Sequence, residues 1–138
     1  MRNQTTIPVH LVEWAVKFHG HLGPYLILGL RAGLLGVKHL GKSYFELKAV
    51  VETGTSPPRS CFIDGIQFAS GCTLGKGNIE VKVSNNVSVV FMKDERRMRL
   101  AVRDSVLRVL DQMTSMSQAE MICEEILQKA DDELFLIE

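Results

Sequence analysis

Apolar residues recur at helical spacing from Val9 to Phe18, where Leu11, Val12, Ala15, Val16 and Phe18 alternate with Glu13 and Lys17. That period predicts an amphipathic helix. The run His19-Gly20-His21-Leu22-Gly23-Pro24 breaks it, because Gly and Pro punctuate and the residue before Pro avoids the α region. Pro24 then suits a first helical position, and a second helix is expected to run to about Gly41. Leu47-Lys48-Ala49-Val50-Val51 is strand-like and ends at the turn-prone Thr53-Gly54-Thr55. Ser56-Pro57 reads as a cap and first residue of a short helix continuing through Cys61 to about Ser70. Gly71 to Asn78 is a glycine-rich loop.

The clearest alternation follows. Ile79, Val81 and Val83 interleave with Glu80, Lys82 and Ser84; Asn85-Asn86 makes a turn; Val87, Val89 and Phe91 come next. Met98, Leu100 and Val102 alternate with Arg97 and Arg99, which predicts a third strand of an antiparallel meander over about 79–103. Beyond it the pattern is helical, with Ser117-Gln118-Ala119-Glu120 at capping-box spacing before Ile122 and Ile126. No repeat or linker interrupts the chain. The expectation is one α+β domain over residues 1–138, with helices packed on a small antiparallel sheet.

Gly29, Gly33 and Gly36 lie at i, i+4 and i+7 of the second helix. Each costs up to ~1 kcal/mol relative to Ala in a helix interior, so their shared stripe predicts close approach of another helix or a second protomer. The apolar stretch from Tyr25 to Val37 is too short to span a bilayer. Arg31 at its centre would cost about 2.5–3.5 kcal/mol there, which argues against a membrane segment.

Composition narrows the functional classes. The formal net charge of +0, from 16 basic and 16 acidic side chains, gives no electrostatic case for nucleic acid or an anionic membrane. The three cysteines are an odd number, and the polar start Met1-Arg2-Asn3-Gln4-Thr5-Thr6 does not resemble a secretion signal. A reducing cytoplasm is therefore expected, with thiols free or metal-bound rather than paired.

Imidazole and thiolate are the ligands that zinc and similar divalent metals prefer, and both types occur near one another in this chain. On a helix His19 and His21 would point about 200° apart. In the extended backbone that Gly20 and Gly23-Pro24 favour, they can converge on one ligand; alternatively one of them caps the carbonyls of the preceding helix. Cys61 falls near the start of its helix, where the dipole favours a thiolate, and shares a polar face with Asp64 and Gln67. A simply buried cysteine is the alternative. Cys72 stands between Gly71 and Thr73, in a loop whose glycines admit a close ligand. Gly75-Lys76-Gly77 is not a phosphate loop: the spacing is short, no Ser or Thr follows Lys76, and the segment precedes a strand. Lys76 is left as an anion contact or a solvated lysine. Cys123 reads as a packing residue, and His10 and His39 as surface residues.

These segments resemble the FmdE family, named for a component of formylmethanofuran dehydrogenase. Phe18-His19-Gly20-His21 with Pro24 resembles its first motif. Ser60-Cys61, Asp64, Ile66-Gln67, Gly71-Cys72-Thr73 and Gly75-Lys76-Gly77-Asn78 resemble its second and more specific one. The resemblance covers roughly residues 9–103. It implies an α+β core, commonly a homodimer, with a metal-associated pocket of histidines and cysteines, and links to one-carbon metabolism and methanogenesis. The expected ligands of a divalent metal, zinc first, are His19, His21, Cys61 and Cys72, with Asp64 as orienter or general base and Lys76 as anion contact. The alternative is a non-catalytic accessory or metal-carrier subunit docking onto a molybdenum or tungsten enzyme. Two departures are visible. The family's first motif usually reads His-Gly-His-x-Cys-Pro-Gly, and Gly23 stands in the Cys position here. The paired CxxC motifs of a C-terminal zinc finger are absent, so a core-only member is expected.

Overall fold

The computed structural model describes residues 7–138. Helices α1 (Val9–His19) and α2 (Pro24–Leu40) lead into strand β1 (Lys48–Thr53) and helix α3 (Cys61–Ser70). A single 3-10 turn, Leu74–Lys76, precedes β2 (Ile79–Val83), β3 (Ser88–Lys93) and β4 (Arg96–Val102). Helices α4 (Asp104–Asp111), α5 (Met116–Gln128) and α6 (Asp131–Leu134) and strand β5 (Phe135–Ile137) complete the chain. The fold is α+β, as the alternation of patterns predicts.

The five strands form one mostly antiparallel sheet in the order β2-β1-β3-β4-β5. The expected three-stranded meander is corrected at its first step. β1 inserts between β2 and β3, pairing parallel with β2 from Ala49↔Ile79 to Thr53↔Val83 and antiparallel with β3. Alternation identifies a strand and its faces but not its neighbour. The more apolar strand takes the inner place: Ala49, Val51 and Thr53 of β1 are buried, whereas Glu80 to Val83 of β2 are exposed. Phe135–Ile137, a short apolar tail without alternation of its own, pairs with β4 as the far edge.

α2 is the centre of the fold, and its glycines explain how. A Cβ on Gly29 would overlap the Phe62 carbonyl oxygen, and one on Gly33 would lie 2.6 Å from the Ala69 Cβ. Reciprocally, a Cβ on Gly65 of α3 would overlap the Leu26 oxygen. Gly36 faces the sheet, where a Cβ would meet the Phe91 ring at 2.5 Å. The stripe thus serves an intrachain helix crossing and contact with the sheet. Arg31 is fully buried beside it. Its guanidinium donates to Asp131 Oδ1 at 2.7 Å and to the Ile126 carbonyl at 2.5 Å, fastening α2 to the C-terminal helices. Among the described residues no helix is long and apolar enough to cross a membrane.

Two helix starts move from their expected places. α3 begins at Cys61, after a turn over 57–60, and not at Pro57. α5 is capped by Ser115, whose side chain accepts from the Gln118 amide, and not by Ser117.

Candidate metal centre

The helix crossing brings the start of α3 against the end of α1. α1 stops because Gly20 adopts a left-handed conformation at φ 114°, its amide bonding to the Val16 carbonyl. That conformation suits glycine and reverses the chain between the two histidines. Their rings end with centroids 4.5 Å apart. The convergence expected of His19 and His21 is therefore present, produced by a left-handed glycine rather than by extended backbone.

His19 Nδ1 lies 2.6 Å from Asp64 Oδ2. The other Asp64 oxygen accepts from Gln67 Nε2 at 3.4 Å, while Gln67 Oε1 accepts from the Leu74 amide. Asp64 is thus held from both sides. His19 is largely buried, and its Nε2 atom has no hydrogen-bond partner there. A buried ring nitrogen left unpaired costs free energy unless something occupies it. Donor atoms of His19, His21 and Cys61 lie within 4.8 Å of one another, a grouping able to hold a metal ion.

A cleft of about 430 Å³ opens from this group, lined by His21, Pro24, Cys61, Met113, Met116 and Glu120 among others. Its far wall comes from the α4–α5 connection and the start of α5. Tyr25 also lines it, with its hydroxyl donating to Asp111 Oδ1 at 3.0 Å. Arg59 donates to Asp111 Oδ2 at 2.8 Å. Burial first, and then the Asp111 bond, holds the Tyr25 phenol well above its ordinary range, so it stays protonated and donating. Tyr25, Arg59, Asp111 and the Met113–Met116 wall have no signature in the sequence, because their roles arise from a tertiary meeting of α2, the α3 entry and α4.

The remaining candidates lie apart. Cys72 is fully buried, its thiol donating to the Leu47 carbonyl at 3.4 Å, and it stays outside the His19–His21–Cys61 group. Lys76 donates to the Gly71 carbonyl and stacks 6.0 Å from the Tyr44 ring centroid. It closes the C-terminal end of α3, one helix length from Cys61. The thiol of Cys61 also departs from expectation. Burial, and then the Asp64 charge, push it above the ordinary thiol value, outweighing the backbone hydrogen bond at the helix start. Cys123 is buried and pushed up to about 11 by burial and then by Glu120, in keeping with a packing role. His10 and His39 are exposed.

Fold and site together define a small α+β protein with a histidine–cysteine group able to hold a metal. The family described as "FmdE, Molybdenum formylmethanofuran dehydrogenase operon" matches residues 18–136, and the chain belongs to that family. A crystal structure of an FmdE-like protein of tungsten formylmethanofuran dehydrogenase, from Syntrophus aciditrophicus, shares the fold. It superposes with a TM-score of 0.68 over 100% of this chain and 76% of that one, at 19% identity. A probable S-adenosyl-L-methionine-binding protein of Archaeoglobus fulgidus is 32% identical over 98 residues. The match takes in 68% of this chain but only 27% of that protein, so the chain spans about a quarter of its relative's length.

Proposed function

We propose that the chain binds one divalent metal, zinc by preference, through His19 Nε2, His21 and the Cys61 thiolate at the head of the cleft. The observation carrying this reading is the buried, unpartnered Nε2 of a histidine whose Nδ1 is held by a carboxylate. Metal-bound histidines characteristically donate their second nitrogen to such a partner, which fixes the tautomer and aims the ring. Asp64 is that partner. With Nδ1–H donating to Asp64, the Nε2 lone pair points into the group shared with His21 and Cys61. A borderline-soft donor set of two imidazoles and one thiolate suits zinc.

Three protein ligands leave a position for water or a small molecule entering by the cleft, the arrangement of a reactive site rather than a structural one. A metal there supplies Lewis acidity to a bound oxygen or carbonyl. Pro24, Met113 and Met116 exclude water from one wall, and Tyr25 and Glu120 add polar groups that orient an entering molecule. Cobalt(II) substitution tests the ligand set. A thiolate-to-cobalt charge-transfer band is expected in the wild type and in Cys72→Ser, and its persistence in Cys61→Ser would overturn the assignment.

The second reading is an accessory or metal-carrier subunit for a molybdenum or tungsten enzyme, supported by the dehydrogenase operon named in the family description. It predicts a stable complex with such an enzyme and transfer of metal to it, with no turnover by this chain alone.

A further inference from the structure

Strand β2 is an open edge of the sheet, and its free side is self-complementary. Its inner side is occupied by β1: the Ala49 amide donates to the Asn78 carbonyl and the Ser84 amide to the Thr53 carbonyl, framing the parallel ladder. By the alternation of that ladder, Asn78, Glu80, Lys82 and Ser84 spend their backbone groups on β1. Ile79, Val81 and Val83 therefore turn their amides and carbonyls outward, where no other described residue meets them. Such a row is a template for a further strand.

The side chains are arranged for one particular strand. Ile79, Val81 and Val83 register with Ala49, Val51 and Thr53, so they share the face that β1 buries under the helices. At the edge that cover runs out: Val81 is 38% and Val83 77% exposed. Glu80 and Lys82 occupy the opposite face and are exposed. An antiparallel copy of this strand centred on Val81 places Val81 opposite Val81, Ile79 opposite Val83, and Glu80 opposite Lys82 twice. The three outward-facing residues then become the hydrogen-bonded pairs. The two Glu–Lys pairs fall at non-hydrogen-bonded positions, where cross-strand side chains come closest.

We propose that two copies of this chain associate through β2, antiparallel and in register about Val81, joining their sheets into one. The occupant of the edge is a second copy because only this strand read backwards supplies opposite charge at both charged positions and an apolar residue at all three others. The interface is independent of the metal centre.

Sedimentation velocity on the full chain, with and without charge swaps, tests this. Glu80→Lys alone and Lys82→Glu alone each create two like-charge pairs and should weaken the dimer by about tenfold or more. The double variant Glu80→Lys/Lys82→Glu restores both pairs and should restore wild-type association. Val81→Cys should form a disulfide-linked dimer on mild oxidation, since hydrogen-bonded pairs hold Cα atoms about 5.5 Å apart. A wild-type chain that stays monomeric at high concentration would overturn the proposal. So would a dimer indifferent to the single swaps, or single-swap losses that the double variant does not rescue. Circular dichroism of each variant separates weakened association from misfolding.

Discussion

Asp64 reaches across the α1–α3 contact to hold His19, with Oδ2 2.6 Å from Nδ1, although 45 positions separate the two in sequence. The consequence is a histidine with one nitrogen fixed and the other buried and free to ligate. Asp64→Ala should therefore weaken metal binding about 10–100-fold while leaving the fold intact, since Asp64 is partly exposed. Competition with a metal chelator, alongside circular dichroism, measures both. Unchanged affinity would mean that His19 does not ligate through Nε2.

Gly23, in the position where the family's motif usually carries Cys, sits against the site. A Cβ there would lie 3.4 Å from His21 Nε2, an ordinary contact, and the backbone is extended at φ −153°. Gly23→Cys should be tolerated and should tighten zinc binding by at least about 1.4 kcal/mol, a tenfold change, by adding a fourth protein ligand. Chelator competition again reads it, and weaker binding in the variant would place the metal elsewhere.

The glycine crossing predicts a steep stability cost. A Cβ on Gly65 would overlap the Leu26 oxygen and sit 2.6 Å from the Leu30 nitrogen, both backbone atoms that cannot swing aside. Gly65→Ala should destabilise by about 3 kcal/mol, and because α3 carries Cys61 and Asp64 it should loosen the metal group as well. Gly75→Ala, where nothing lies within 4 Å, should change stability by less than about 0.5 kcal/mol. Urea unfolding of the pair checks the contrast.

Arg59 beside Asp111 holds that carboxyl below its ordinary 3.8, with the Tyr25 hydroxyl adding to the effect. A depressed carboxylate stabilises the fold above its unfolded pKa, and that contribution is lost as pH falls through the folded value. The side chain is 48% exposed, so the effect is modest. Asp111→Asn should lower the thermal midpoint slightly at neutral pH, and the gap to wild type should close in acid. A gap that persists or widens below pH 3.8 would contradict this account.

Elements with strong local signals are legible in the sequence. Pro24 marks the start of α2 and Gly41 its end, and the glycine stripe foretells a close crossing because only contact explains three helix-interior glycines on one face. His19, His21 and Cys61 are readable as donors because few other roles gather those residue types. Strand order is not, since β2 and β3 alternate alike whether or not β1 lies between them. The place of Cys72 is hidden for a related reason. Flanking glycines indicate room for the backbone, not which way the thiol turns, and it turns into the core toward the Leu47 carbonyl. Lys76 likewise meets a carbonyl of its own loop, a local bond that composition cannot distinguish from an anion contact.

The most direct test of the metal centre is elemental analysis by plasma mass spectrometry of untagged protein purified without chelator, compared across His19→Ala, Cys61→Ser and Cys72→Ser. Near-stoichiometric divalent metal is predicted in the wild type and in Cys72→Ser, with its loss from the other two. Metal retained without His19 or Cys61, or a wild-type chain that refuses added zinc, would contradict it.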